Sequence, residues 1–345
     1  MNREPLITVV TASYNNLDGL MRSIYSVCMQ TYRKIEYIIC DDCSEKYSEE
    51  AIETFLQKHR KSNIIRYKII HNTKNVGTVK NLNNAYKIAL GDIVLPLSSG
   101  DSFFCTNTIQ MVVDRFINTD CNVLATSMIK YKGDFEPIEM VPHVRARAII
   151  HSYDDSDKQY RAFITAHFHE MIAGCNLYIR KEAIERYNYF DESYVLWEDG
   201  PFLSRYLFND KVEYAYDIVS IWYESGGVSD KPFDDHSPRL KKDVILYAST
   251  DALAHLDIFS FKDRRRVRYR YKRIVSGHTF RKYLLYICYL PEVLHYLAYT
   301  RKNRFLSMDD LTEIDRLISN NNCIKYEEKN ENTICDVSSD GERIK

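Results

Sequence analysis

The sequence lacks the features that define several protein classes. Its formal net charge is −1 over 345 residues, so any strongly charged partner must be recognised by a local patch. The longest apolar stretch covers residues 283–299. It is interrupted by Pro291, Glu292 and His295, which makes it a poor membrane span. We therefore expect no segment that crosses a bilayer.

Secretory and metal-binding signals are also missing. The N terminus lacks the apolar core and the small-residue cleavage site of a secretory signal, so we expect a cytosolic protein. Nine cysteines are scattered irregularly, and this odd number fits reduced thiols better than a disulfide framework. Cys40 and Cys43 bracket two aspartates, but no second Cys or His pair completes a zinc site.

The first 125 or so residues alternate between short β-branched runs and amphipathic helical patterns. Such alternation predicts a parallel sheet covered by helices, and 45% apolar side chains can bury one large core. The first strand is apolar throughout, as expected of a strand buried on both faces. The predicted strands cover residues 6–11, 37–40, 64–70 and 93–97.

Three polar clusters follow predicted strands, at residues 11–15, 41–42 and 98–101. Ligands of open α/β sheets bind at the carboxyl ends of the strands, where the loops converge. Turns also favour Ser, Asn, Gly and Asp for conformational reasons, so each cluster alone is weak evidence. Together they predict a single site.

Later segments show a mixed pattern. A strand at 175–180, a helix at 199–207 and a strand at 212–223 could complete the same sheet. Residues 262–282 hold ten Lys or Arg residues among several aromatics. We divide the chain into an α/β domain at 1–235, a basic helical extension at 236–319 and a polar tail at 320–345, which we expect to be disordered.

Four segments of the N-terminal half resemble family-2 glycosyltransferases with the GT-A fold. They are PLITVV followed by SYN, then S-x-x-x-Q-T-Y at 26–32, EYIICDDCS at 36–44, and the N-V-G, K-N and A-L-G-D groups between 75 and 92. A further set resembles the acceptor-side half: G-C-N at 174–176, F-D-E at 190–192 and W-E-D at 197–199. The resemblance covers roughly residues 5–230 with its spacing preserved.

This resemblance implies an α/β GT-A fold with a mostly parallel central sheet, followed by the helical C-terminal extension. It implies a hexosyltransferase-type enzyme that moves a sugar from a nucleotide-diphosphate donor, a UDP-sugar, to an acceptor hydroxyl with inversion. Members of this layout serve the biosynthesis of surface polysaccharides or glycans. The alternative is a non-catalytic nucleotide-sugar-binding or membrane-recruited scaffold. A processive synthase is disfavoured, because the family's Q-x-x-R-W signature is missing.

The resemblance also implies the donor pocket. Asp42 occupies the position that reads uracil, and Asp41 would support the loop or the ribose, whereas two solvated acids in a turn are the alternative. Lys80 stands where the family more often has Arg to hold the diphosphate, and a solvated helix lysine is an equal alternative. The remaining donor-binding candidates are Thr11, Ala12, Tyr14, Ser99, Gly100 and Gly227.

A divalent cation would neutralise the departing diphosphate. The family usually presents D-x-D-D at this place, whereas this chain has S-S-G-D at 98–101. Only the last acid, Asp101, survives, and it is the one implied to contact Mg²⁺ or Mn²⁺. Substrate phosphates and water would complete the coordination, as hard cations allow, and a simple turn residue is the alternative.

Inverting transfer needs a base on the acceptor side, and Asp199 is the candidate. The alternative is a cap at the start of the helix, where the helix dipole favours an acid. Glu198, Trp197 and Asn176 are the acceptor-side candidates. The glycine-rich loop at 225–229 predicts a lid or an ordinary turn. A group at 167–170, with two His and one Glu, resembles a metal cluster but lacks a fourth ligand and stays unassigned.

The basic segment at 262–282 precedes the apolar run at 283–287. Together they could lie on an anionic membrane surface, near lipid-linked acceptors and on the inner face of the membrane. A solvated helical pair that packs on the catalytic domain is the alternative. Nucleic acid is disfavoured as a partner, because no recognised binding motif accompanies the patch.

Overall fold

The computed structural model describes residues 4–165, 172–227, 230, 233–276, 280–294, 297 and 307–326. Within these residues, nine strands form one sheet in the order β3-β2-β1-β4-β8-β6-β9-β5, and β7 pairs with β6. Helices cover this sheet on both faces. The predicted α/β class is therefore confirmed.

Four parallel strands form one half of the sheet: β1 (Ile7–Ser13), β2 (Ile35–Asp41), β3 (Ile64–His71) and β4 (Ile93–Ser98). β1 lies between β2 and β4, and six of its seven residues are buried. In register, Ala12 pairs with both Cys40 and Ser98, so the carboxyl ends of three strands meet at one edge. All four strands coincide with predicted segments.

The other half of the sheet is mixed. Its strands are β5 (Ser102–Phe103), β6 (Val123–Lys132), β7 (Glu136–Val141), β8 (Leu177–Arg180) and β9 (Glu213–Glu224). β8 runs antiparallel to both β4 and β6, whereas β9 runs parallel to β6. The strands predicted near 175–180 and 212–223 thus complete the same sheet.

Eight helices accompany the sheet strands along the chain. They are α1 (Leu17–Cys28), α2 (Glu49–His59), α3 (Thr78–Ile88), α4 (Thr108–Thr119), α5 (Val144–His151), α6 (Ser156–Thr165), α7 (Lys181–Arg186) and α8 (Asp199–Leu207). Successive side chains of β1 enter two different cores, because a strand alternates its faces. Val9 packs with α1 and α2 on one face, and Val10 packs with α3 and α8 on the other. The predicted cap Ser48 accepts a hydrogen bond from the Ala51 amide at 3.2 Å.

Four more helices lie in the described part of the chain after β9: α9 (Pro238–Ser249), α10 (Phe261–Val275), α11 (Phe280–Cys288) and α12 (Ser307–Asn320). Tyr247 of α9 and Tyr271 of α10 belong to the same core cluster as Val10. The first part of the predicted extension therefore shares the core of the sheet. None of the described helices combines the length and apolarity that crossing a bilayer requires.

Residues beyond α12 also pack on the α/β domain. The Ile324 amide donates to the Phe104 carbonyl at 3.0 Å, and the Tyr326 ring lies 5.0 Å from the Tyr25 ring. Residues 321–326 fall in the segment predicted to be a disordered tail, yet Ile324 is buried. The prediction of disorder used the mean composition of residues 320–345. The polar residues after Tyr326 dominate that mean and conceal the packing of Ile324 and Tyr326. Residues 327–345 lie outside the described part.

Candidate active site

The three polar clusters after β1, β2 and β4 are hydrogen-bonded to one another. The Asp42 amide donates to the Ser13 carbonyl at 2.8 Å, and the Ser99 amide donates to the Ala12 carbonyl at 2.9 Å. The Asn16 side chain donates to the Ser99 carbonyl at 3.0 Å. The tertiary structure thus joins the clusters into one polar edge of the sheet.

Asp42 clamps the loop that enters α3. Its Oδ1 accepts from the Val76 amide at 2.8 Å and from the Asn72 side chain at 2.9 Å, and its Oδ2 accepts from the Gly77 amide at 2.8 Å. Gly77 has a φ of +89°, and an added Cβ would lie 2.5 Å from the Val195 carbonyl oxygen. A carboxylate has about four acceptor positions, so one position on Oδ2 is not used by these three hydrogen bonds.

Asp41 supports the neighbouring loop. Its carboxylate accepts from the amide and the hydroxyl of Ser44 and lies 2.9 Å from His71 Nδ1. Asp41 thus links Ser44 to His71 at the end of β3, and its role toward a ribose stays a prediction. The exposed ring of Tyr14 stands at the same edge.

Thr11 departs from its predicted role in donor binding. Its hydroxyl lies 2.9 Å from the Tyr37 hydroxyl, and the residue is completely buried. Its side chain therefore faces the core and not the donor pocket. A period-two alternation along β1 explains this orientation, because the neighbouring Ala12 is partly exposed.

Asp101 is a buried carboxyl with one unsatisfied oxygen. Its Oδ1 accepts from the Glu224 amide at 3.1 Å, whereas its Oδ2 is buried without a partner. Burial raises the pKa of Asp101 well above its ordinary value, and the charges of Glu224 and Asp230 raise it further. Such a group gains much from a cation placed against its free oxygen.

Glu224 and Arg22 complete this corner, and the sequence analysis missed both. Their side chains form an ion pair between the end of β9 and α1. Gly100 has a φ of +106°, which other residues rarely adopt, and an added Cβ would lie 2.2 Å from Glu224 Oε2, so a side chain there would also displace Glu224. The Tyr131 hydroxyl donates to the Gly100 carbonyl at 3.0 Å. The two residues of the ion pair are 202 positions apart, so no local pattern could have paired them.

The corner fits a cation that is shared with a substrate. Within the described ranges, no group of three His, Cys, Asp or Glu residues is arranged to hold a metal ion. The free Oδ2 of Asp101 nevertheless offers one protein ligand of the kind that Mg²⁺ and Mn²⁺ prefer. The remaining ligands would come from a diphosphate and from water, as is usual for Mg²⁺.

Glu198 and Asp199 form a pair of carboxyls at the start of α8. Asp199 Oδ1 accepts from the Gly200 amide at 2.7 Å, within the first helical turn. Burial raises the pKa of both groups, and the charge of Asp199 raises that of Glu198 further. The pair therefore holds a proton to higher pH than free carboxyls do. Both residues are partly exposed, and the pair lines a small, mainly apolar cavity with Leu82, Tyr86, Pro96, Gly174, Leu177, Ile179 and Phe190.

The backbone of Gly174 lies directly against this carboxyl pair. An added Cβ would stand 2.8 Å from Glu198 Oε1 and 3.2 Å from Asp199 Oδ2. A larger residue at Gly174 would therefore push the two acids from these positions. The residue after Gly174 is Cys175. Burial raises the pKa of its thiol, and the charges of Asp101 and Asp199 raise it further.

Asp243 is a second residue that the sequence analysis did not find. It lies on α9, is buried, and accepts hydrogen bonds from three consecutive amides directly before Glu198. The distances to its Oδ2 are 3.0 Å from Val195, 2.6 Å from Leu196 and 3.1 Å from Trp197. Asp243 therefore fixes the loop that carries the carboxyl pair. One sign of this role is present in the sequence: Asp243 is an acid on the same helix face as the apolar residues Leu240 and Tyr247.

Replacing Asp243 by Asn is expected to disturb the carboxyl pair as well as the fold. The amide side chain cannot accept from all three backbone donors, so we expect a loss of about 1–3 kcal/mol in unfolding free energy. Displacement of the pair should lower kcat by about 10²-fold. The charge of Asp243 also raises the pKa of Glu198, so the pH profile of kcat should shift as well.

Thermal unfolding, kcat and its pH profile would be measured for this variant beside Asp217→Asn. Asp217 is an exposed acid on β9 that pairs with Arg115, so its loss tests for a general effect of charge. A destabilised Asp243→Asn enzyme with normal kcat and an unshifted pH profile would limit Asp243 to a structural role.

The other acceptor-side and donor candidates differ in their surroundings. Asn176 is fully buried, and its side chain bonds to the Thr126 carbonyl and the Ala173 amide. It therefore supports the turn before β8 and cannot contact an acceptor, contrary to the prediction. Trp197 packs its ring 4.8 Å from that of Tyr247. Lys80 is exposed and lies 3.8 Å from Glu192, which is the arrangement of a solvated helix lysine.

Part of the predicted lid can be located. Gly227 is exposed and accepts a bond from the Asp230 amide at 3.3 Å, and Gly226 has a φ of +97°. Residues 228 and 229 lie outside the described residues, as does the 167–170 group that resembled a metal cluster. A lid over the diphosphate stays a prediction.

Comparison with known proteins adds independent evidence. The sequence profile of "Glycosyl transferase family 2" matches residues 8–187. The putative teichuronic acid biosynthesis glycosyltransferase TuaG of Bacillus subtilis is 27% identical over 157 residues, which cover 46% of this chain and 59% of TuaG. The Escherichia coli UDP-Glc:alpha-D-GlcNAc-diphosphoundecaprenol beta-1,3-glucosyltransferase WfaP is 31% identical over 130 residues, which cover 38% and 48% of the two chains. The chain thus spans about half the length of these curated relatives.

Solved structures share the fold. S. aureus TarS 1-349 in complex with UDP-GlcNAc matches with a TM-score of 0.56 at 16% identity, covering 83% of this chain and 79% of TarS. The mannosyltransferase PcManGT from Pyrobaculum calidifontis, in complex with GDP-Man and Mn²⁺, matches with a TM-score of 0.51 at 14% identity, covering 88% and 86%. At these identities the likeness establishes the architecture alone.

Proposed function

Because this chain belongs to glycosyl transferase family 2, we propose that it transfers a sugar from a UDP-sugar to an acceptor hydroxyl with inversion at the anomeric carbon. The observation that carries this proposal is the carboxyl pair Glu198–Asp199, which lines a small, mainly apolar cavity at the start of α8. Asp199 also acts on the same thiol as Asp101, the acid at the polar edge of the sheet. A base and a diphosphate-side acid are what direct displacement requires.

Asp199 takes the proton in this mechanism. As the acceptor oxygen bonds to the anomeric carbon, its proton passes to the Asp199 carboxylate and the bond to the diphosphate oxygen breaks on the opposite face. Glu198 retains the proton that the pair shares, so only one of two adjacent carboxyls is charged. A positioned base of this kind contributes about 10²–10⁴ in rate.

The donor would lie along the polar edge. The free acceptor position on Asp42 Oδ2 is suited to the imide N–H of uracil, and Asp41 holds the adjoining loop. The diphosphate would lie by Gly100 and Asp101, where there is no side chain at Gly100 to block it. A bound Mg²⁺ or Mn²⁺ would neutralise the negative charge of the departing diphosphate there. The TarS and PcManGT neighbours hold UDP-GlcNAc and GDP-Man in their own structures.

The acceptor is proposed to be a glycan or a lipid-linked sugar in the assembly of a surface polysaccharide. The names of TuaG and WfaP support this, since they refer to teichuronic acid and to a diphosphoundecaprenol acceptor. The enzyme would then work in the cytoplasm, peripherally on the inner face of the membrane. A non-catalytic scaffold would bind nucleotide in the same way, but it would have no use for the carboxyl pair Glu198–Asp199 in its apolar cavity.

A nucleotide panel tests the donor. UDP in excess is expected to raise the unfolding temperature in the presence of Mn²⁺, since a ligand at about 100 times its Kd adds about 2.7 kcal/mol of stability. GDP should stabilise less, because the uracil imide is the group that Asp42 is proposed to read. Release of UDP from a panel of UDP-sugars, with Mn²⁺ or with chelator, then measures turnover.

Asp42→Asn serves as the variant, and Asp217→Asn serves as its control. The Asp42→Asn protein should lose the stabilisation by UDP and should also unfold at lower temperature, because two backbone amides lose an anionic acceptor. Equal stabilisation of the wild-type protein by UDP and GDP would refute the uracil assignment. Binding of UDP without release from any UDP-sugar would favour the scaffold.

A further inference from the structure

The helix α11 and the helical residues that follow it turn a stripe of large apolar side chains toward solvent. At 100° per residue, this stripe spans about 120° of the helix surface. Backbone bonds continue the helix past Cys288, as the Val293 amide donates to the Tyr289 carbonyl at 3.0 Å. The stripe residues are between 48% and 76% exposed: Phe280, Tyr283, Leu284, Ile287, Leu290 and Leu294.

The opposite face of this helix packs on α10 through polar and aromatic groups. Glu292 is buried and pairs with Arg265, whose Nε lies 2.9 Å from Glu292 Oε1. Arg265 also donates to the Cys288 carbonyl at 2.9 Å and lies over the Tyr289 ring. The helix is therefore oriented with its charged side inward and its apolar side outward. A surface helix of a globular protein normally has the reverse orientation.

The segment that carries this stripe is rich in positive charge. Residues 262–304 contain thirteen Lys or Arg residues and only two acids, although the whole chain has a net charge of −1. Lys262, Arg268 and Lys272 are exposed on α10. Lys272 also contacts the helix itself, with its Nζ 5.8 Å from the Tyr289 ring. Of the two acids, Glu292 is neutralised by Arg265.

We propose that this face, formed by the outward stripe of residues 280–294 and the exposed cations of α10, docks on an anionic lipid bilayer. The apolar side chains would enter the boundary between headgroups and acyl chains, and the cations would bind the headgroups. A nucleic acid would match the cations but leave the apolar stripe in water. A second copy would cover the stripe but bring two cationic surfaces together. The bilayer alone satisfies both features.

This docking face extends the proposed function, since it would hold the carboxyl pair near lipid-linked acceptors. Its test measures lipid binding and does not depend on sugar transfer. Purified full-length protein would be floated with vesicles of phosphatidylcholine alone and with vesicles that also contain phosphatidylglycerol. Stabilisation by UDP would be recorded for every variant as an independent measure of the folded donor site.

The variant replaces three stripe residues, Tyr283→Ser, Ile287→Ser and Leu294→Ser. These three apolar side chains would be buried in the bilayer on docking, so their loss should weaken binding to the anionic vesicles by at least about 100-fold. The matched control replaces three exposed apolar residues of the α/β domain, Ile65→Ser, Ile117→Ser and Ile138→Ser, and should float like the wild-type protein. Both variants should keep their stabilisation by UDP.

Three outcomes would overturn the proposal. Failure of the wild-type protein to float with either vesicle would exclude docking on lipid. Equal flotation with the neutral vesicles would exclude a role for the cations. A concentration-dependent dimer in light scattering, abolished by the stripe variant in a protein that does not float, would assign the face to a second copy of the chain.

Discussion

Asp199→Asn is expected to lower kcat by at least about 10²-fold while the protein remains folded. The Asn side chain keeps the shape of Asp199 and can still accept from the Gly200 amide, so the start of α8 should persist. It cannot take a proton from the acceptor hydroxyl. The surroundings of Asp199 raise its pKa and so disfavour its charged form, and its removal should leave the unfolding temperature unchanged or higher.

The pH dependence of kcat/KM gives a second measurement of the same role. The base must be ionised, so activity should rise with pH as Asp199 loses its proton. Burial raises the pKa of Asp199, so this acid limb should lie above the ordinary value of about 3.9 for aspartate. The residual activity of the Asn variant should lack this limb.

Asp217→Asn is again the control, since Asp217 is an exposed acid that pairs with Arg115. Near-normal turnover of Asp199→Asn, with a normal acid limb, would remove Asp199 from the mechanism. The same measurements on Glu198→Gln separate the two acids, because that variant keeps the proposed base and should retain more activity than Asp199→Asn.

Asp101→Asn is expected to abolish activation by Mn²⁺ or Mg²⁺ and to lower kcat by at least about 10²-fold. The neutral side chain no longer offers an anionic oxygen to a cation. The same variant should be more stable than the wild-type protein without metal. Burial and the charges of Glu224 and Asp230 raise the pKa of Asp101, so an ionised Asp101 is costly in the folded state.

The sign of this stability effect follows from proton binding. Above about pH 3.9 the unfolded chain releases the proton of Asp101, whereas the folded protein retains it up to its raised pKa. The stability of the wild-type protein therefore falls as pH rises through this window. The Asn variant has no such proton, so its advantage should be small near pH 4 and should grow toward pH 7.

Unfolding would be followed with a chelator present at several pH values, and turnover would be measured over a Mn²⁺ titration. A variant that is activated by Mn²⁺ like the wild-type enzyme would show that Asp101 is not a metal ligand. A stability difference that stays constant with pH would show that Asp101 is already ionised in the folded protein.

Most of the sheet could be predicted from local patterns in the sequence. The four parallel strands β1 to β4 coincide with runs of apolar, β-branched residues, and α2 begins at the predicted cap Ser48. These features depend on residues that are close in sequence. β6 and β7 were not predicted, and β6 carries interior polar residues such as Thr126 and Ser127, whose hydroxyls bond to β9. Their partners lie 94 and 89 positions away, beyond the reach of any local pattern.

The candidate site divides in the same way. Motif spacing located Asp41, Asp42, Asp101 and Asp199 without any coordinates. It also suggested Thr11 and Asn176. In the structure, the Thr11 hydroxyl contacts the Tyr37 hydroxyl, and the Asn176 side chain bonds to backbone groups. A motif identifies a position in a family, but the direction of a side chain depends on the packing around it.

The amino-acid sequence alone determined the α/β class, the order of the first strands and the meeting of polar turns at one edge of the sheet. Each of these follows from periodicity and from the parallel direction of neighbouring strands. Only the tertiary structure decided which acids are buried, which residue holds the loop before Glu198, and which side of α11 faces water. Burial is set by contacts between distant segments, such as Asp243 with the 195–197 loop and Glu292 with Arg265. An amphipathic pattern shows that a helix has two faces, but the partner it packs against decides which of them is covered.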